Sequence, residues 1–245
     1  MMGSLRVGTV EPDFFDPITD VASTLIAQVL QRDESHAGQV WRVLGDGTLA
    51  LRRIARILRD SDVGQVVRQW RDEQLAIVDL QGEPLATVER GVVRPLGIAT
   101  RAVHLVVRSP DGGFWVQQRA LNKATDPGLW DTTMGGMVCA ADTIASALAR
   151  ETWEEAGLLL EQFQGLALGG RLAMNMPCVN DEAGYVEEQI DWFVATLADG
   201  IEPTNLDGEV AQFQLLDERE LLAKLQQNEF TIEAALILVA ALTSV

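Results

Sequence analysis

The chain has 245 residues, with 36 Asp and Glu against 19 Lys and Arg, and a formal charge of −17. A field of that sign disfavours nucleic-acid backbones and anionic membranes as partners and points to small-molecule work. Two cysteines, Cys139 and Cys178, give no disulfide framework, the start Met-Met-Gly-Ser-Leu-Arg lacks a long apolar segment, and the longest apolar run, Ala234 to Leu242, is far too short to span a bilayer. A cytoplasmic enzyme is the expectation.

Taken in chain order, Ile18 to Gln31 has helical apolar spacing, and Leu49 to Leu58 repeats it with interleaved Arg. Gln74 to Val88 reads as a hairpin around Gln81-Gly82. The length exceeds what one catalytic domain needs, so a boundary is placed near residue 97, after Arg94-Pro95-Leu96-Gly97. Residues 1–97 then form a small α+β domain and 98–245 a second one. The second reads as strand 102–108, a turn at Asp111-Gly112-Gly113, strand 114–118, a long loop, helix 143–156, strands near 166–174, 188–197 and 209–216, and helices near 217–226 and 231–242. That mixed order suits an α/β sandwich, with helices on both faces of a mixed sheet. The apolar last helix suits a homodimer contact as well as an intramolecular one.

Helix 143–156 carries the chemistry. Asp142 and Thr143 offer an N-cap, and no Pro or Gly interrupts the segment. At about 100° per residue, Ile144, Ala147, Leu148, Glu151, Glu154 and Glu155 share an arc of roughly 120°. Three carboxylates thus share the apolar face, where an ordinary amphipathic helix keeps its acids on the opposite side. Acids at i, i+3 and i+4 repel one another, which raises a pKa or recruits a hard cation, and an all-oxygen donor set favours Mg²⁺, Mn²⁺ or Ca²⁺ over zinc. Arg150 beside this face can fix a carboxylate rotamer, and the Gly136 carbonyl can add an oxygen. A divalent ion there neutralises a diphosphate and acidifies bound water.

Residues 136–158 resemble the Nudix box, Gly-x5-Glu-x7-Arg-Glu-U-x-Glu-Glu-x-Gly-U, at Gly136, Arg150, Glu151, Glu154, Glu155, Gly157 and Leu158. Six identities at fixed spacing arise by chance about once in 10⁷ starts. Asp142 stands where Glu is usual, and Thr152 replaces an aliphatic residue. The resemblance implies a Nudix α/β/α sandwich and a Mg²⁺- or Mn²⁺-dependent diphosphohydrolase. It makes Glu151 and Glu155 the principal metal ligands, Glu154 a supporting ligand and Arg150 the orienting group. A further acid from outside the box is often used in the family. Glu188 and Glu209 are candidates for it, and each is equally readable as a solvated loop acid. Arg119 and Lys123, before the Asp126-Pro127-Gly128 turn, are candidates for binding the anionic substrate or for surface charge. Cys139 reads as a packing residue, and His104 as a strand residue; His36 is distant in sequence from both.

Trp70-Arg71-Asp72-Glu73, Leu85 to Arg90, Pro95 to Ile98 and His104 are similar to the region before the Nudix domain in thiamine-pyrophosphokinase-related proteins, as Glu229 to Leu242 is to their C-terminal end. That resemblance implies cleavage of thiamine diphosphate, or its oxidised forms, to the monophosphate. Trp70 is then either a thiamine-stacking residue or a core anchor. Gln117-Gln118-Arg119 through Asp131 also looks similar to isopentenyl-diphosphate isomerases, whose isomerisation needs a cysteine just after the Trp segment; here Asp131, Thr132, Thr133 and Met134 follow Trp130. A Nudix-fold metabolite sensor is the non-enzymatic alternative, and such sensors often lose the acids that this chain keeps.

Overall fold

The computed structural model describes all residues except 3–4, 34–39, 61–66, 68, 80, 179–183 and 244–245, and excludes the side chains of 19–23. His36 therefore lies outside the described residues. The chain forms two compact units: Met1–Thr100 with 139–141 and 174–188, and Arg101–Val138 with 142–173 and Gln189–Val245.

The first unit holds α1 (Asp16–Ile26), β1 (Leu30–Asp33), β2 (Val40–Val43), α2 (Gly47–Asp60), β3 (Gln74–Val78) and β4 (Pro84–Glu89). In α2 the side chains of Ala50, Leu51, Ile54, Ala55 and Leu58 are buried while the interleaved arginines stay out, as the spacing predicts. The Asp46 carboxylate accepts the Leu49 N–H at 2.9 Å and starts that helix. The hairpin of β3 and β4 is closed by Asp79, whose Oδ1 accepts the N–H groups of Gln81 and Glu83. The helix expected over 18–31 needs correction. It ends at Ile26, and Leu30 opens a strand paired with Val43. Val29 and Leu30 are buried there, so apolar residues that continued a helical period serve a ladder instead.

The remaining elements, most of whose residues lie in the second unit, are β5 (Thr100–Arg108), β6 (Phe114–Arg119), β7 (Trp130–Asp131), β8 (Met134–Met137), β9 (Phe163–Pro177), β10 (Tyr185–Leu197) and β11 (Val210–Leu216), with α3 (Ile144–Ala156), α4 (Glu218–Gln226) and α5 (Ile232–Thr243). The mixed sheet runs β11-β6-β5-β10-β9, with β7 beside β6 and β8 beside β5. Val103, Leu105 and Val107 of β5 share a core with Met134, Ala147, Leu148 and Ala156, and with Ala195 and Leu197 of β10. Thus α3 lies on the face of β5 that carries its odd-numbered residues. Two findings differ from the sequence expectation: the loop before α3 contains β7 and β8, and β9 and β10 are longer than expected. Among the described residues no helix is long and apolar enough to cross a membrane.

Candidate active site

Two glycines on β8 set the geometry. Val103 pairs with Gly136 and His104 with Gly135. Directly opposed residues in an antiparallel ladder point to the same face, so the two glycines face opposite sides. A Cβ on Gly136 would stand 2.1 Å from Cδ of Glu151, and one on Gly135 would stand 2.5 Å from the His104 ring. The carboxylate of Glu151 therefore occupies the place of a side chain at 136. His104 fills the equivalent place at 135, its Nδ1 2.9 Å from the Thr132 hydroxyl, as a packed strand residue.

Helix α3 starts at a capping box in which Thr143 Oγ1 accepts the Ser146 N–H, and it ends at Gly157 with φ 63°. Its buried stripe is Ala147, Leu148, Thr152, Glu155 and Ala156. The stripe is rotated from the expected one: Thr152 is inside and Glu154 sits at the rim. Thr152 tolerates burial because its hydroxyl donates to the Leu148 carbonyl at 2.6 Å, one turn back.

Arg150 ties the box together. Its Nε and Nη2 donate to Oδ2 of Asp142 at 3.0 and 2.8 Å, and its Nη1 to Glu151 at 2.8 Å and Glu154 at 3.0 Å. Nη2 also reaches the Met137 carbonyl at 3.4 Å. The shortened acid Asp142 thus keeps a structural contact, and its Oδ1 accepts the Ser146 hydroxyl.

Glu155 is different. It is buried, and Oε2 accepts both the Gly135 N–H and Nε2 of Gln117, each at 3.0 Å. Among the described residues Oε1 makes no hydrogen bond, and Oε1 of Gln117 is buried without a partner. Burial pushes the Glu155 carboxyl up to about 8; the two N–H donors and the Lys123 cation oppose that shift, and the Glu151 carboxylate adds to it. Gln117 was not singled out in sequence. The alternation of β6, which sets Gln117 on the face of Trp115, could have found it.

The structure brings Arg150, Glu151, Glu154, Glu155 and Gly136 together. Lys123 lies within electrostatic reach of Glu155, and its Nζ is paired with Glu209. Arg119 holds its own loop: Nε and Nη2 donate to the Thr125 carbonyl, and Nη1 to Asp131. Trp70 belongs to the N-terminal unit, with its indole N–H on Asp72 and the Arg59 guanidinium 4.5 Å above its ring. Glu188 is also in that unit, buried against Thr100 and Arg94. Cys139 bridges to Leu75, and its thiol donates to Glu73. Among the described residues no three acid, His or Cys side chains form a ready-made metal cage.

The NUDIX domain family matches residues 99–236. A Pseudomonas aeruginosa protein described as an uncharacterized Nudix hydrolase is 40% identical over 86 residues, covering 35% of this chain and 51% of that one. An isopentenyl-diphosphate Delta-isomerase of Leifsonia xyli is 31% identical over 156 residues, covering 62% and 80%. The chain spans 51% of the Pseudomonas relative's length and 54% of a Saccharomyces cerevisiae one. The crystal structure of DR0079 from Deinococcus radiodurans has the same fold, with a TM-score of 0.55 at 19% identity over 69% of this chain and 99% of that one. With the box acids gathered by Arg150 on α3 and the family match spanning more than half of the sequence, this chain belongs to the Nudix hydrolase family.

Proposed function

We propose that the chain uses a divalent cation, Mg²⁺ or Mn²⁺, to hydrolyse a diphosphate linkage in a small organic diphosphate, with thiamine diphosphate and its oxidised forms as the first candidates. The observation that carries this reading is Glu155, a buried carboxylate held on one oxygen with the other turned free beside an unpartnered Gln117 oxygen. A hydrated cation supplies what both oxygens lack. Mg²⁺ is ordinarily held by one or two carboxylates, waters and substrate phosphoryl oxygens, so a complete protein cage is not required.

Glu151 and Glu155 would hold the ion, with Glu154 and the Gly136 carbonyl at the rim. When bound, the ion neutralises phosphoryl charge and lowers the pKa of its water. Arg150 holds Glu151 in one rotamer and reaches the carbonyl of Met137 at the end of β8. Lys123, paired with Glu209, adds positive charge near Glu155, and Arg119 fixes its loop. The thiamine assignment rests on the sequence motifs of the N-terminal region, Trp70 among them. A cytoplasmic location accords with a sequence that has only two cysteines, too few for a disulfide framework.

The isomerase reading has the Leifsonia relative in its favour. Against it, residues 131–134 contain no cysteine, and the Cys139 thiol is engaged by Glu73. The test is phosphate and pyrophosphate release with Mg²⁺ or Mn²⁺ over thiamine, oxothiamine and oxythiamine diphosphates, nucleoside diphosphate conjugates, nucleoside triphosphates and isopentenyl diphosphate. Chelator-sensitive turnover of a thiamine species supports the full reading. Turnover of nucleotides alone removes thiamine, and metal binding without turnover leaves a sensor.

A further inference from the structure

Three neighbouring strands carry a charged group that the box does not use. Asp191 of β10 is buried; its Oδ2 accepts Nη2 of Arg101 from β5 at 3.0 Å, and its Oδ1 accepts Nε of Arg171 from β9 at 2.8 Å. The two guanidiniums are 39% and 58% exposed, so each reaches solvent while Asp191 does not.

The group faces the box. Val103 shares the face of Gly136, the face from which the Glu151 carboxylate comes. Arg101 is two residues earlier on the same strand and therefore points the same way, roughly 7 Å along it. On β10, Asp191 is in phase with Ala195 and Leu197, which belong to the core under α3. Arg171 reaches that face with its guanidinium, through its contact with Asp191.

Donor use separates this pair from the cations around the box. Arg150 spends its fork on the box, Arg119 on Thr125 and Asp131, and Lys123 on Glu209. Among the described residues, Nη1 and Nη2 of Arg171 have no partner, and Nε of Arg101 is buried without one. Two arginines against one carboxylate leave a net positive charge in a strongly negative molecule. Asp191 holds both forks by one edge and leaves the other donors for a second oxyanion.

We propose that Arg101 and Arg171, oriented by Asp191, bind a second anionic group of the substrate, beyond the phosphoryl group taken by the metal-bearing acids. This deepens the diphosphatase reading and rests on it. It favours substrates whose second phosphoryl group, or a carboxylate in its place, comes within reach of β5 and β9. Arg101 and Arg171 are the specificity-determining residues, and Asp191 is a positioning residue.

The experiment is calorimetric binding of inorganic tripolyphosphate and of orthophosphate, with Ca²⁺ present, to the full chain and to Arg171→Gln, Arg171→Lys and Arg101→Gln. Tripolyphosphate should bind about tenfold more weakly to each Gln variant, orthophosphate less than twofold more weakly, and Arg171→Lys should fall between. On any substrate that the panel above identifies, KM should rise with kcat little changed. Melting curves check Arg101→Gln, while exposed Arg171 tests the idea without that concern. Tripolyphosphate affinity unchanged in both Gln variants, equal weakening for orthophosphate, or no tripolyphosphate binding by the unmodified chain overturns the assignment. Chelator-sensitive turnover by the unmodified chain judges the hydrolase reading separately, since it stands or falls in the panel whatever the Gln variants do.

Discussion

Glu155 on α3 and Glu89 and Glu188 in the N-terminal unit are all buried carboxylates, and they are satisfied in different ways. Glu89 accepts the N–H groups of Arg71 and Gly91 on one oxygen and Nε2 of Gln74 on the other. Glu188 takes the Thr100 hydroxyl at 2.8 Å and the Arg94 guanidinium at 3.4 Å, both on Oε1, so its charge meets a cation. Glu155 has neither donors on both oxygens, as Glu89 has, nor a cation in contact, as Glu188 has: two neutral N–H groups reach one oxygen, and burial lifts its pKa to about 8. Acids of the first kind hold a fold together. An acid left short of positive charge at the bottom of a cluster is held ready for something that arrives, because a carboxylate without a cation is costly to bury in its charged form.

The comparison breaks first at Glu155→Gln. That change keeps the shape and removes the charge, so turnover should fall about a hundredfold or more while the fold persists. A variant that melts normally and turns over at the parent rate would return Glu155 to the structural class.

Gly136→Ala is next. The added Cβ takes the place of the Glu151 carboxylate, which must swing away and release its Arg150 contact. Rate should drop at least tenfold, with about 1–3 kcal/mol of lost stability from overpacking. Turnover at the parent rate in Gly136→Ala would show that the Glu151 carboxylate is not needed where it stands.

Acidity sharpens the contrast with a definite sign. In metal-free protein Glu155 keeps its proton up to about pH 8, whereas the unfolded chain releases it near 4.5. Its contribution to stability is complete below about pH 4.5 and is lost as pH rises through about 8, an effect on the order of a few kcal/mol. Denaturant titrations in chelator should show the parent losing stability relative to Glu155→Gln across that window. Parallel curves would mean that Glu155 is ionised throughout. Metal binding displaces the same proton, so Mn²⁺ affinity should climb with pH over that range.

Glu188→Gln is expected to have the smallest catalytic effect. It weakens the contacts to Arg94 and Thr100 and should cost about 1–3 kcal/mol in unfolding experiments, with turnover within twofold. Turnover that collapses at unchanged stability would instead make Glu188 the outside acid of the reaction.

The box was legible in sequence because its spacing is that of one helix: Arg150, Glu151, Glu154 and Glu155 sit within two turns, and geometry fixes their common side. The partners of Glu155 were not, since Gln117 and Gly135 arrive from β6 and β8, and nothing local says which donor meets which acid. Arg119 shows the same limit from the other direction, because a free cation and one that pins a turn have the same sequence signature. Strand β1, of four residues, was hidden behind the apolar period of α1. Strand β9 was seen only in part, since it is Gly-rich and mostly exposed on both faces, leaving no alternation to read.

The most direct test is the melting temperature at pH 7.5 of the parent and of Glu155→Gln, each in chelator and in Mn²⁺. A site kept ready for a cation predicts that the variant melts at or above the parent in chelator, and that Mn²⁺ raises the parent alone. If the variant melts well below the parent in chelator, and Mn²⁺ shifts both equally, Glu155 is a structural acid like Glu89 and the metal-dependent reading fails.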